Sequence, residues 1–142
     1  MKKLITLFLI ISFIFIFFLN PKPLSSFSVK FIYNLGEKNF IFNGQEYLLT
    51  KNSDVLNGRV IFPLRDLSRV FEIELKWNGQ EKSVEFYAGK NKIKLFIGKD
   101  YYENDRKREN LLVKPYIFEN LTYIGLRDFS KILNLKIEWD DL

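Results

Sequence analysis

Phe62-Pro63-Leu64-Arg65-Asp66-Leu67-Ser68-Arg69-Val70-Phe71 returns 62 positions later as Ile124-Gly125-Leu126-Arg127-Asp128-Phe129-Ser130-Lys131-Ile132-Leu133. Leu64/Leu126, Arg65/Arg127, Asp66/Asp128 and Ser68/Ser130 are identical pairs, and alternating residues lead each stretch on to Trp77 or Trp139. A chain that writes one segment twice has its architecture set by the repeat before any single residue is interpreted. Leu64, Leu67, Val70 and Phe71 share one face at helical spacing, with Arg65, Asp66, Ser68 and Arg69 elsewhere. A helix of about two turns does not hold itself up in water, so a sheet must support it. The fold class is therefore α+β: a twisted antiparallel sheet packed on short helices. It is built as two copies of a hairpin-helix-strand unit, at about 43–98 and 104–142, with the second copy truncated.

The flanking residues supply the strands. Asn43-Gly44 separates Phe40-Ile41-Phe42 from Glu46-Tyr47-Leu48-Leu49, and Asn57-Gly58 separates Val55-Leu56 from Val60-Ile61-Phe62. Asn-Gly suits a two-residue hairpin turn because both central residues need positive φ. Pro63 ends the strand and tolerates the first helical turn, where a missing N–H is harmless. Phe71 to Trp77 alternates apolar and charged residues and reads as a strand, turned at Asn78-Gly79. Val84 and Phe86, then Ile93, Leu95 and Ile97, continue the rhythm through a hairpin at Ala88-Gly89-Lys90-Asn91. Lys99 to Glu109 is polar and reads as a solvated hairpin or loop, and Leu111 to Ile117 as a return to strand.

Upstream, Lys2 and Lys3 precede a run from Leu4 to Leu19 that is apolar apart from Thr6 and Ser12. As a helix the run spans about 24 Å, short of the roughly 30 Å hydrocarbon core of a membrane. Residues 1–28 read as a signal peptide or an uncleaved N-terminal membrane anchor, with Ser26-x-Ser28 as a weak cleavage site. Either way residues 29–142 are exported, to be secreted or held at the cell surface. The formal charge of +5 belongs mostly to this leader, since Lys2, Lys3 and Lys22 lie in it and no acid does. The remainder carries 19 basic and 17 acidic residues, which predicts no nucleic-acid footprint.

Cysteine and histidine are both absent. That removes thiolate nucleophiles, disulfides, the commonest metal ligand and the commonest general base.

The order Asn57-Gly58-Arg59, a short apolar strand, Pro63-Leu64-Arg65, a short helix and an alternating strand ending in Trp77 resembles the copper amine oxidase-like N-terminal domain family. Leu126-Arg127 and Trp139-Asp140 carry the second pass, and the likeness covers about residues 39–142. The resemblance implies a small exported domain in which a twisted antiparallel sheet wraps a helix. In amine oxidases such a domain is a stalk remote from the copper site. The chain departs from the family pattern in three places. Gly125 stands at the place of Pro63, and Glu119-Asn120-Leu121 at that of Asn57-Gly58-Arg59. Glu72 and Asn134 stand where the family caps its helix with glycine. Asn134 suits a left-handed cap, but Glu72 does not without strain, so the first helix is expected to end differently or to run straight into its strand.

No catalytic residue, cofactor site or metal site is read from this chain, which is taken as non-enzymatic. Copper would need imidazole ligands, and no Asp-x-Asp-x-Asp-Gly run offers calcium a loop. Arg65 and Arg127 sit in the first turn of a helix, where the dipole disfavours a cation. Carboxylates or carbonyls of the neighbouring copy, or an acidic ligand, are expected to hold them. Trp77, Tyr87, Tyr123 and Trp139 are the candidate stacking residues for a sugar ring, against core or edge packing. The function expected is a structural or binding module contacting cell-wall polysaccharide or another exported protein. The alternative is an accessory or inhibitor-like subunit of a secreted enzyme. Self-association through the sheet edge left by the truncated copy is a further expectation.

Overall fold

A computed structural model describes residues 29–136. Residues 1–28, expected as a signal peptide or anchor, the end of the alternating stretch expected as a strand from Leu135 to Trp139, and the Trp139-Asp140 pair of the family motif lie outside the described residues. The order is β1 (Phe31–Ile32), β2 (Asn39–Phe42), β3 (Gln45–Leu48), β4 (Asp54–Leu56), β5 (Arg59–Pro63), α1 (Leu64–Val70), β6 (Lys76–Asn78), β7 (Ser83–Ala88), β8 (Asn91–Phe96), β9 (Tyr101–Asn104), β10 (Lys107–Asn110), β11 (Tyr116–Phe118), β12 (Leu121–Gly125) and α2 (Leu126–Ile132). The class is α+β, with antiparallel pairing throughout.

The strands form three sheets, in the orders β1-β2-β3, β10-β9-β8-β7-β6 and β11-β12-β5-β4, where the sequence suggested one. Two loops separate them, after β3 and after β10, and each is pinned by a buried aspartate described below. In the four-stranded sheet β5 pairs with β12, placing Phe62 opposite Ile124. These two residues are themselves 62 positions apart, so the register is symmetric about their pair. Both helices pack against β5 and β12. Phe62, Leu64, Leu67, Ile124 and Phe129 form the centre of the main core. Phe40 joins it from the three-stranded sheet, and Val84, Phe86, Ile93, Leu95 and Tyr102 from the five-stranded one. The opposite face of the four-stranded sheet carries a smaller core of Ile61, Val113, Leu121 and Tyr123.

Several local expectations are corrected. Glu72 does cap α1: it adopts φ 54°, Glu72 N–H donates to the Arg69 carbonyl and Ile73 N–H to that of Ser68. This is the 6→1 and 5→2 pattern of a helix end closed by a left-handed residue. Asn134 does the same for α2, at φ 55°, with Leu135 N–H on the Ser130 carbonyl. Because the chain spends these residues leaving the helix, only Lys76 and Trp77 of the strand expected over Phe71 to Trp77 join a ladder, and Asn78, expected in the turn, extends it. Ile73 and Leu75 still pack on the core.

The turn after β6 is a four-residue loop, because the ladder resumes at Ser83 opposite Asn78. Asn78 Oδ1 closes it by accepting from Gln80 and Glu81 N–H. Glu119-Asn120 forms as tight a turn as Asn57-Gly58, with φ of 47° and 63° against 52° and 71°. The return to strand begins at Tyr116, since Leu111 to Pro115 is the pinned loop.

Candidate functional site

Each helix begins with a carboxylate that the sequence reading passed over. Asp66 is 0 % and Asp128 1 % exposed, each at the third residue of its helix. Asp128 accepts from Leu112 N–H (2.8 Å) and Val113 N–H (3.0 Å). Asp66 accepts from Thr50 N–H (2.9 Å) and the Thr50 hydroxyl (2.6 Å). The helix N-terminus favours both anions, and the bonds replace the water each lost. Their effect is to hold the loops after β3 and β10 against the sheet. In the sequence they are visible only as an identical pair of acids 62 residues apart, and nothing there marks them as buried.

The basic residue three positions on completes each latch. Arg69 donates to the Leu48 carbonyl at 2.7 Å, approaches Asp66 at 3.5 Å and lies over the Tyr47 ring. Lys131 donates to the Asn110 carbonyl at 3.3 Å, pairs with Glu109 at 3.7 Å and lies over the Tyr102 ring. Arg65, in contrast, is exposed, and the carboxylate next to it pairs with Arg69 instead; the Arg127 side chain is exposed as well.

The other motif residues are placed by the same frame. Asn57 and Gly58 make the β4–β5 turn, Arg59 is half-buried, and Pro63, Leu64 and Leu126 are buried at the strand-to-helix joints. Gly125 replaces Pro63 for a visible reason. A Cβ there would lie 2.9 Å from Asp128 Oδ2 and 3.5 Å from the Val113 side chain.

The candidate stacking residues do not converge. Trp77, 49 % exposed, pairs with Val84 and so lies on the core-side face of the five-stranded sheet, at its edge. Tyr87, 63 % exposed, lies three residues beyond Val84 and therefore on the other face. Tyr123 is corrected to a core residue: it is 3 % exposed, with its ring stacked on Tyr116 at 5.2 Å. Burial raises the phenol pKa of both Tyr116 and Tyr123. Trp139 lies outside the described residues.

The outer face of the five-stranded sheet is charged, yet its charges answer one another. Glu85 meets Lys92 at 2.9 Å and Lys94 at 3.6 Å, Lys94 also pairs with Glu81, and Arg108 reaches Glu103 at 3.7 Å. The Lys92 bond is the main cause that holds the Glu85 carboxyl below its ordinary range. Tyr102 and Glu109 form a further pair, the hydroxyl donating to the carboxylate at 2.9 Å. That bond is the first cause of a lowered Glu109 pKa, with Asn104 adding a second bond. Burial is the first cause of a raised Tyr102 pKa.

Some of the exposed apolar side chains lie on outer strands, while Ile41 sits on the middle strand β2 and Leu35 and Leu112 in loops. Val55 and Leu56 lie on β4, and Ile117 and Phe118 on β11, the two outer strands of the four-stranded sheet. Ile32 lies on β1, the outer strand of the three-stranded sheet. Among the described residues no group of three or more acidic side chains is placed to hold a metal ion, and no helix is long and apolar enough to cross a membrane.

A protease inhibitor of Brevibacillus choshinensis is 25 % identical over 99 residues, covering 70 % of this chain and 30 % of that protein. The chain thus spans under a third of that relative's length. The sequence profile of the copper amine oxidase N-terminal domain, a non-catalytic type of domain, matches residues 41–142. With most of its length matched, the chain belongs to the copper amine oxidase N-terminal domain family.

Proposed function

We propose that this chain is an exported, non-catalytic module that holds another protein through the open edges of its sheets. The observation that carries this reading is the placement of Ile32, Val55, Leu56, Ile117 and Phe118 on outer strands. An outer strand offers unpaired N–H and C=O groups, and soluble proteins ordinarily block such edges with lysine, proline or a covering element. Apart from Val55 N–H, which Asp54 Oδ1 accepts at 2.7 Å, these apolar side chains stand beside outer-strand backbone groups and suit a polypeptide partner. A wall polysaccharide suits the surface less, because Trp77 and Tyr87 lie on opposite faces and make no shared platform. The reading of residues 1–28 as an export leader places the partner outside the cell.

We take the scaffold itself to be two copies of one unit. In support, β4, β5 and α1 have the same bounds as β11, β12 and α2 after a shift of 62 residues. The Asp66 and Asp128 latches correspond in the same way. The second reading, an inhibitor-like subunit of a secreted enzyme, is favoured by the relative that is a protease inhibitor.

One experiment separates the readings. The full chain, immobilised in mild detergent, is offered the secreted proteins of the producing organism and, in parallel, its protein-free cell wall. Retention of a discrete secreted protein is the expected result. Retention on wall alone overturns the proposal. Loss of a protease activity from the flow-through selects the inhibitor reading.

A further inference from the structure

β1 and β8 occupy equivalent places but have unequal company. Lys30 N–H donates to Asn43 Oδ1 at 2.9 Å and Asn43 N–H to the Lys30 carbonyl at 2.8 Å. Sixty-two residues on, Lys92 N–H donates to Asp105 Oδ1 at 2.8 Å and Asp105 N–H to the Lys92 carbonyl at 3.0 Å. Phe31 pairs with Phe42 as Ile93 pairs with Asn104. On its far side β8 carries β7, in register from Ser83 opposite Phe96 to Ala88 opposite Asn91. Among the described residues the far side of β1 carries nothing.

The difference shows in the side chains. Ile93 and Leu95, covered by β7, are 0 % exposed, whereas their counterparts Phe31 and Tyr33 are only partly buried. Because Lys30 turns its backbone groups toward Asn43, alternation turns those of Phe31 and Tyr33 outward. The β7 strand that fills the equivalent place has apolar Val84 and Phe86 facing the core and Glu85 on the other face, bonded to Lys92. Lys30 stands in the position of Lys92 and is exposed.

We propose that the edge of β1 from Val29 to Asn34 accepts an antiparallel strand of a partner protein, in the place β7 takes on β8. The partner strand has alternate apolar residues packing on Phe31 and Tyr33, and a carboxylate on its other face that reaches Lys30. This main-chain pairing specifies one docking edge for the protein-binding reading above, and rests on it.

The test uses the chain's own β7 as the probe, a synthetic peptide from Glu81 to Lys90, since β8 is already occupied by its intramolecular strand. Amide hydrogen exchange is followed by NMR in the full chain, isotope-labelled, in detergent. With peptide at ten times its dissociation constant, exchange at Phe31 and Tyr33 slows by about tenfold. Lys30→Glu weakens binding by about threefold, and a peptide carrying Lys in place of Glu85 restores it. The inference fails if millimolar peptide leaves Phe31 and Tyr33 unprotected. It fails equally if they are protected without peptide, whether that protection vanishes on deleting residues 137–142 or scales with protein concentration. The first of these means the chain covers its own edge, and the second that another copy does. A secreted protein still retained by a Phe31→Pro variant sinks this edge as the docking site while leaving the protein-binding reading intact.

Discussion

Replacing Asp128 with Asn tests whether the buried carboxylate is what seats the loop after β10. The carboxylate, 1 % exposed, accepts two backbone N–H groups, at 2.8 and 3.0 Å. A hydrogen bond to a charged acceptor contributes about 1.5–3 kcal/mol net. An amide keeps one oxygen for one N–H and turns its own NH₂ group against the other. Asp128→Asn should therefore lose one bond, about 2 kcal/mol. Asp128→Ala leaves both N–H groups without their acceptor and should lose about 3–5 kcal/mol.

Asp66 is the internal control. One of its two donors is the Thr50 hydroxyl, which can rotate and accept from an amide instead. Asp66→Asn should thus keep both Thr50 bonds and cost only about 1 kcal/mol, chiefly the pairing with half-exposed Arg69. The assay is urea unfolding of the full chain in detergent, followed by Trp fluorescence, with thermal melts in parallel. At roughly 4 °C per kcal/mol, Asp128→Asn should lower Tm by about 8 °C and Asp66→Asn by about half of that. An Asp128→Asn variant within 0.5 kcal/mol of the parent would falsify the assignment, as would an Asp66→Asn variant that is the more damaged of the two.

Gly125→Ala places a methyl group 2.9 Å from the Asp128 oxygen that holds Val113, so it should destabilise by about 1–3 kcal/mol in the same unfolding assay, and a neutral result would mean the carboxylate is not fixed. Glu72 occupies the left-handed region at φ 54°, so Glu72→Gly should stabilise by about 0.5–1 kcal/mol, and a loss of stability would contradict the strain. Below pH 4.5, the ordinary Glu value, the parent should lose stability, because Glu109 has a lowered folded-state pKa and its contribution fades as the pH falls through that value. Glu109→Gln should flatten this acid limb, and an unchanged slope would remove Glu109 as its source. Arg65 is exposed, so Arg65→Ala should shift Tm by under about 2 °C, and a larger loss would restore a structural role for its guanidinium.

What could be read from the sequence divides along a physical line. Asn43-Gly44 and Asn57-Gly58 announce their turns because both residues prefer the left-handed region locally. Glu119-Asn120 and Asp105-Arg106 form the same geometry without that preference, held by the ladders on either side. Such a preference amounts to about 1–2 kcal/mol, which a few cross-strand contacts override. The alternation from Phe71 to Trp77 was misleading for a related reason. A capped helix exit that drops Ile73 and Leu75 into the core repeats every second residue, as a strand does.

The latch aspartates were hidden because an acid early in a helix looks like an ordinary solvated cap. Their loop donors at Thr50, Leu112 and Val113 are adjacent only after folding. The edges were hidden for the same reason: which strand is outermost is a property of pairing across the chain. Tyr123 and Trp77 make the point in miniature, since both are aromatic strand residues and only the ladder decides which is covered.

The pairing of Phe62 with Ile124 also governs how this chain reaches its fold. Bringing those residues together closes a loop of 62 residues, an entropic cost of about 4 kcal/mol before any contact repays it. Until β12 arrives, α1 lacks one of the two strands it packs against, and until β5 is in place α2 lacks one of its own. Hairpins such as β2–β3 and β9–β10 need only their own turns and form in microseconds. Contact order predicts that the meeting of β5 and β12 is the slow event and that it joins the two stretches in one step. A chain released N-terminus first therefore waits for residues 121–125 before its first half gains a core, and stays open to capture by other strands during that interval.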